Sequence, residues 1–386
     1  MSRYMGVARR LAAACVLFSI PFAASAQNYV QTNLVSDITQ PANADGSTVG
    51  IDANLKNAWG LSRGASSPWW VNNGGTGTST LYSGAGATVP LVVTVPNVQG
   101  AAGPSQPTGM IFNGSADFAL AAGNPAVFIF ATRQGTIAGW GPPATPVAQG
   151  LSTAITKVDE SKAGAVFTGL TWVEVDGAHF LLASNFSHGR VEAFDTNYKP
   201  VLLADMPFRA DHVPQGFAPY NVQAVGETVV VTYAKQSAAN KGIPDDNCGN
   251  ECGFVAIFSK TGRLLHQLEN GPWLRAPWGV ALAPQDFGTF SHALLIGNRF
   301  GGTIAAFNPA TGRFLGNLLD ANDAPIAIDG LWGLEFDNRG GNEAGSTAHP
   351  STGPALFFAA GIDNYAHGLF GTLTPVAAQL NAEDHE

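Results

Sequence analysis

The chain has 386 residues, of which 12% are charged, and a formal net charge of −9. A sparsely charged, acidic chain has no basic stripe to follow a nucleic-acid backbone, so nucleic acid is excluded as a partner class. Its 46 glycines and 24 prolines fall between short apolar runs, as they do in an all-β chain with many turns.

Residues 1–26 read as an export signal. Arg3, Arg9 and Arg10 give a positive start, an apolar run follows, and Ala24-Ser25-Ala26 is a small-x-small cleavage site. The apolar run is too short to span a bilayer comfortably, and no later segment reads as a membrane-crossing helix. Cys15 lies in this signal. The mature chain then keeps Cys248 and Cys252, which in an exported protein read as a disulfide closing a small loop. The expected organisation is one domain over 27–380 with a frayed tail at 381–386.

A strand is predicted over 29–35, and after it a short phrase begins to recur. It reads Asn57-Ala58-Trp59-Gly60-Leu61, then Pro107-Thr108-Gly109-Met110-Ile111, then Phe167-Thr168-Gly169-Leu170-Thr171. A degenerate copy, Ala218-Pro219-Tyr220-Asn221-Val222, precedes Pro277-Trp278-Gly279-Val280-Ala281 and Leu331-Trp332-Gly333-Leu334-Glu335. The copies lie roughly 50–60 residues apart, which is room for four short strands each, and predict a six-bladed β-propeller.

Within the second repeat, strands are predicted over 126–130 and 136–140, and 142–161 reads as a long connection. The third is the clearest: strands over 167–174, 179–184 and 190–195, with Asp176-Gly177 as a hairpin turn. The fourth has strands over 229–233 and 254–258, interrupted by an insertion over 235–253 that carries both cysteines. The fifth has strands over 278–282, 293–296, 303–307 and 313–318. The sixth has strands over 355–360 and 369–373 after a polar excursion over 338–354, and lacks a fourth strand. The segment 29–35 is expected to supply it, closing the ring and removing two exposed sheet edges.

Propeller topology brings the start of each first strand and each loop between strands two and three to one face of the disc. That face is expected to collect Trp59, Trp278 and Trp332, with Thr108, Thr168 and Asn221 at equivalent positions. The loops add Arg133, His188, Asn298, Arg299 and Asn364, and the connection into the fourth repeat adds Asp211 and His212. Aromatic rims beside both charge signs suit a small-molecule or peptide ligand. Each also has a structural reading: tryptophans pack between blades, asparagines cap their own turns, and Asp211-His212 is a surface pair. Asp245, Asp246 and Glu251 offer oxygen ligands that would suit calcium, without the alternating carboxylate spacing of a calcium loop. No cofactor is assigned on this basis. There is no G-x-S-x-G elbow, H-E-x-x-H pair, P-loop or dinucleotide fingerprint.

The P-x-G phrase opening each repeat resembles the NHL-type propeller repeat, best at Pro107-Thr108-Gly109 and Pro277-Trp278-Gly279. The motif order is similar to that of a family of exported bacterial propellers of uncharacterised function. The matching motifs are Asn57 to Leu61, Pro107 to Gly109, Asp245-Asp246, Gly253-Phe254-Val255, Gly262 and Leu331 to Leu334, and the resemblance spans roughly residues 28–376. Some members of that family carry a C-terminal sorting tail with a Pro-Glu-Pro signature, which residues 381–386 do not match. The resemblance brings no catalytic residues with it. The reading is an exported propeller, periplasmic or extracellular, that presents one face to a small molecule or protein. The alternative is a lactonase-like hydrolase or a lyase, metal-assisted or not, drawing on Asp211, His212, His188 and Arg299 at the channel mouth.

Overall fold

Runs such as Phe180-Leu181-Leu182-Ala183 have no polar side to turn to water, so both faces of these strands must be covered. A ring of packed sheets does this: Leu181 and Ala183 pack against blade two, and Leu182 against blade four. The computed structural model describes residues 28–142, 151–206, 208–249, 252–337 and 354–376. The segment 1–26 read above as an export signal, the tail 381–386, residues 250 and 251, and most of the 338–354 excursion lie outside them.

The described residues form six blades. Blade one is Ala58–Ser62, Trp69–Asn73, Thr78–Tyr82 and Thr88–Thr94, and blade two is Pro107–Phe112, Phe128–Thr132, Thr136–Trp140 and Ile155–Asp159. Blade three is Phe167–Val175, Ala178–Asn185, Arg190–Phe194 and Pro200–Val201. Blade four is Phe217–Val225, Thr228–Lys235, Gly253–Ser259 and Leu264–Gln267. Blade five is Pro277–Leu282, Leu294–Asn298, Ile304–Phe307 and Phe314–Asn317. Blade six is Leu331–Phe336, Leu356–Ala360 and Leu369–Pro375, completed by Tyr29–Ser36. That N-terminal strand runs antiparallel to Leu369–Pro375, pairing Tyr29 with Pro375 and Ser36 with Leu369, and so closes the ring as expected. No helix among the described residues is long and apolar enough to cross a membrane.

The 142–161 segment is not a plain connection. Ile155–Asp159 is the fourth strand of blade two, and Leu151–Thr153 pairs parallel with the outer strand of blade one. Outer strands are covered on fewer sides, and Ile155-Thr156-Lys157-Val158-Asp159 keeps only Val158 fully buried, so its apolar signal is weak.

Six apolar clusters fill the interfaces between successive blades, the last joining Val35, Phe357 and Phe370 of blade six to Trp69, Val71 and Tyr82 of blade one. A seventh cluster lies on the axis and contains Trp59, Tyr220, Trp278 and Trp332.

The glycine of the phrase is explained by this ring. A Cβ on Gly279 would lie 2.7 Å from the Trp332 carbonyl oxygen, and one on Gly333 2.7 Å from that of Trp59. Gly60, Gly109 and Gly169 meet the first strand of the following blade in the same way. Only a residue without a side chain lets neighbouring first strands come this close around the channel.

Candidate functional site

In all six blades the pairing of the first strand with the second slips within the phrase. A bulge of this kind re-aims the extra side chain. The residues before the glycine positions are Trp59, Thr108, Thr168, Tyr220, Trp278 and Trp332, and all six are buried at one end of the axis. Tyr220, and not Asn221, therefore holds the tryptophan position in blade four. Asn221 holds the glycine position, where its Nδ2 donates to the Trp278 carbonyl at 2.8 Å. At the glycine position of the phrase, the bridge from blade four to blade five is thus a side-chain hydrogen bond in place of a glycine.

The large residues plug the channel. Trp59 stacks on Trp332 with centroids 3.7 Å apart, and Trp278 meets both edge-on at 6.2 and 6.1 Å. The Trp278 indole donates to the Thr168 carbonyl at 2.8 Å, and that of Trp332 to Asn57 Oδ1 at 3.1 Å. Trp59 Nε1 is buried without a partner among the described residues. Thr108 Oγ1 donates to the Phe167 carbonyl at 2.9 Å and Thr168 Oγ1 shares a bond with Ser184 at 3.2 Å, so both threonines latch neighbouring strands.

Loops between strands two and three ring this plug. Phe186 packs on Tyr220 at 4.8 Å. The Arg299 guanidinium lies over the rings of Phe300, Tyr365 and Trp332 at 4.5, 4.6 and 5.4 Å. It also pairs with Asp246 at 3.0 Å, while its buried Nε has no partner among the described residues. Asp246 belongs to the insertion of blade four, which is closed by the Cys248–Cys252 disulfide. Lys235 and Asp245 of the same region pair at 3.3 Å.

Arg133, from the corresponding loop of blade two, is half-buried beside this cluster. Burial works against its charge, the Tyr220 hydroxyl opposes that, and nearby Arg299 adds to it. The one hydrogen bond of its guanidinium among the described residues is to the Gly242 carbonyl at 3.4 Å, and it makes no ion pair there. Burial also pushes the Tyr220 hydroxyl up, with Arg299 and Arg133 drawing it partly back, so Tyr220 stays a neutral phenol. Tyr365 ends a left-handed turn in which Asp363, Asn364 and Tyr365 have φ of 53, 53 and 67°. Non-glycine residues held this way each cost about 1–2 kcal/mol, and such strain gathers at binding sites.

The remaining candidates are placed as follows. Asn298 organises its loop, accepting from Arg275 N at 2.8 Å and donating to the Trp273 carbonyl at 2.9 Å. Asn364 is exposed at the rim. His188 is held by Asn185 at 3.0 Å and the Ala163 carbonyl at 3.1 Å. Asp211 and His212 are exposed, and no hydrogen bond or ion pair among the described residues joins them to each other, His188 or Arg299. Asp245 and Asp246 are engaged by Lys235 and Arg299, and Glu251 lies outside the described residues. Among the described residues no three His, Cys, Asp or Glu side chains gather to hold a metal ion.

Sequence reasoning placed Arg133 among the loop residues of this face and passed over Tyr220. The signal for Tyr220 was available: it stands one residue before Asn221, where every other copy has Trp or Thr.

No family model matches the chain. It is 29% identical over 332 residues to uncharacterized protein R648 of Acanthamoeba polyphaga mimivirus, covering 83% of this chain and 76% of that protein. It is 25% identical over 329 residues to uncharacterized protein L690 of the same virus, covering 83% and 81%. Both of these relatives are viral. A solved structure from Bacteroides thetaiotaomicron, described as of unknown function, aligns with a TM-score of 0.51 at 9% identity, over 90% of this chain and 76% of that one. At that identity the likeness concerns the fold alone.

Proposed function

We propose that the protein is an exported ligand-binding propeller that captures a small organic anion at the channel mouth. The observation that carries this reading is Arg133, half-buried beside Arg299 with no carboxylate partner among the described residues. A half-buried cation without a counter-charge is costly, and an anion placed between two guanidiniums offsets that cost for both. Arg299 is already fixed by Asp246 and three rings, so one half of the site is pre-organised. Phe300 and Tyr365, both half-buried, offer flat apolar surface beside the charge. The ligand class is therefore a carboxylate or a phosphate or sulfate ester on a flat apolar body. The disulfide supports an oxidising compartment. Calorimetric titration with phenyl phosphate and benzoate, against benzyl alcohol as the neutral control, tests the reading. Binding of the anions that weakens at least tenfold in Arg133→Gln and with added salt is expected. Equal binding of benzyl alcohol, or no change in the variant, would contradict it.

A further inference from the structure

Beneath the aromatic plug the channel widens into a cavity of about 260 Å3 that opens at the other face of the disc. Its walls are first-strand residues, chiefly the apolar Leu61, Leu170, Val280 and Leu334. Two polar side chains interrupt them without internal partners. Neither the Glu335 carboxyl of blade six nor the Gln223 carboxamide of blade four makes a hydrogen bond among the described residues, and both line the cavity. Among the described residues the cation near Glu335 is Arg63, and it is engaged elsewhere: it pairs with Asp337 at 2.6 Å and lies over the Trp69 ring at 5.3 Å. Among the described residues this half-buried carboxyl has neither a donor nor a cation of its own, so its oxygens face the cavity and the water that enters it.

We propose that this end of the channel is a second binding site, independent of the mouth, which takes a small primary ammonium ion on a short aliphatic body, with Glu335 as its counter-charge and Gln223 Oε1 as a second acceptor. An ammonium has three donors and no acceptor, which matches two acceptors facing a cavity that leaves the third donor to water at the open end. The apolar walls suit an alkyl chain, and the volume is below that of a drug-sized site. The charged groups facing Glu335 are Arg63, which stabilises its anion, and Asp337, which opposes it; burial dominates both and pushes the carboxyl up to about 8. Burial thus favours the neutral acid at pH 7, and a bound ammonium would favour the carboxylate and displace its proton.

The test is calorimetry with n-butylammonium chloride, using 1-butanol as the neutral isostere. The amine itself stays charged below about pH 10. Because only ionised Glu335 pairs with it, affinity is expected to rise about tenfold per pH unit from pH 6 and to level off above about 8. Glu335→Gln should abolish both the binding and its pH dependence, and 1-butanol should bind weakly at every pH. In wild-type protein, a carbon-13 titration of the Glu335 carboxyl should move to lower pH when butylammonium saturates the site, which keeps the test independent of the variant's folding. Absence of butylammonium binding, pH-independent binding unchanged by Glu335→Gln, or a Glu335 titration unmoved by the amine would each overturn the proposal.

Discussion

Asn221 stands where the other five copies of the phrase carry glycine, and its role is chemically specific. Its amide bridges to the Trp278 carbonyl, so glycine at this position would leave that buried acceptor unpaired. Asn221→Gly is therefore expected to destabilise the protein by about 1–3 kcal/mol in urea unfolding, although it restores the repeat. Unchanged stability would mean that the bridge contributes nothing. A departure from a repeat is visible in sequence, but its partner is not. Reading Asn221 as the tryptophan equivalent was a one-residue misalignment; Pro219-Tyr220-Asn221 set on Pro277-Trp278-Gly279 puts Tyr220 at that position, and the bulges agree. Glu335 was hidden in an ordinary strand, and Arg133, although placed on the face, was not set apart from the other loop residues. What distinguishes them is the lack of a partner, which is a property of three-dimensional neighbours.

The strands themselves were largely legible. The 136–140 strand has the predicted bounds, and the Asp176-Gly177 turn has φ of 51 and 79°, the left-handed pair that a two-residue hairpin needs. Inner strands declared themselves because they are apolar on both faces. Outer strands such as Ile155–Asp159 did not, because little of their surface is buried. The phrase glycines mark where neighbouring first strands touch, and this gives a test at the level of the element. Gly333→Ala should cost about 1–3 kcal/mol, since its Cβ would press on the Trp59 carbonyl and Leu61. Gly84→Ala, whose Cβ would meet only the Phe357 ring at 3.8 Å, should stay within about 0.5 kcal/mol of wild type. Equal effects at the two positions would remove the steric account of the repeat.

As a whole the molecule is a closed ring with two chemically different ends. Closure depends on the N-terminal strand, and Tyr29 anchors it: the side chain is buried, its hydroxyl donates to the Phe287 carbonyl at 2.9 Å, and its ring packs on Phe287 at 4.8 Å. Tyr29→Ala is expected to cost about 3–5 kcal/mol and to lower the midpoint of a single transition for the whole ring. A second transition, or no shift, would show that blade six holds without the strand. The number of blades and the side of the disc that gathers the loops followed from the period of the phrase and from topology. The character of each end did not, because it depends on which charges stay unpaired after folding. At the mouth Arg299 is paired with Asp246 while Arg133 has no carboxylate partner among the described residues, although the net charge is −9. The most direct test is a titration with phenyl phosphate, followed on the side-chain Nε–H signals of Arg133 and Arg299. Both signals should shift together along one binding curve, and the shift of Arg299 should be lost in Arg133→Gln. Signals that stay fixed at saturation, or that move equally with benzyl alcohol, would contradict an anion site at the channel mouth.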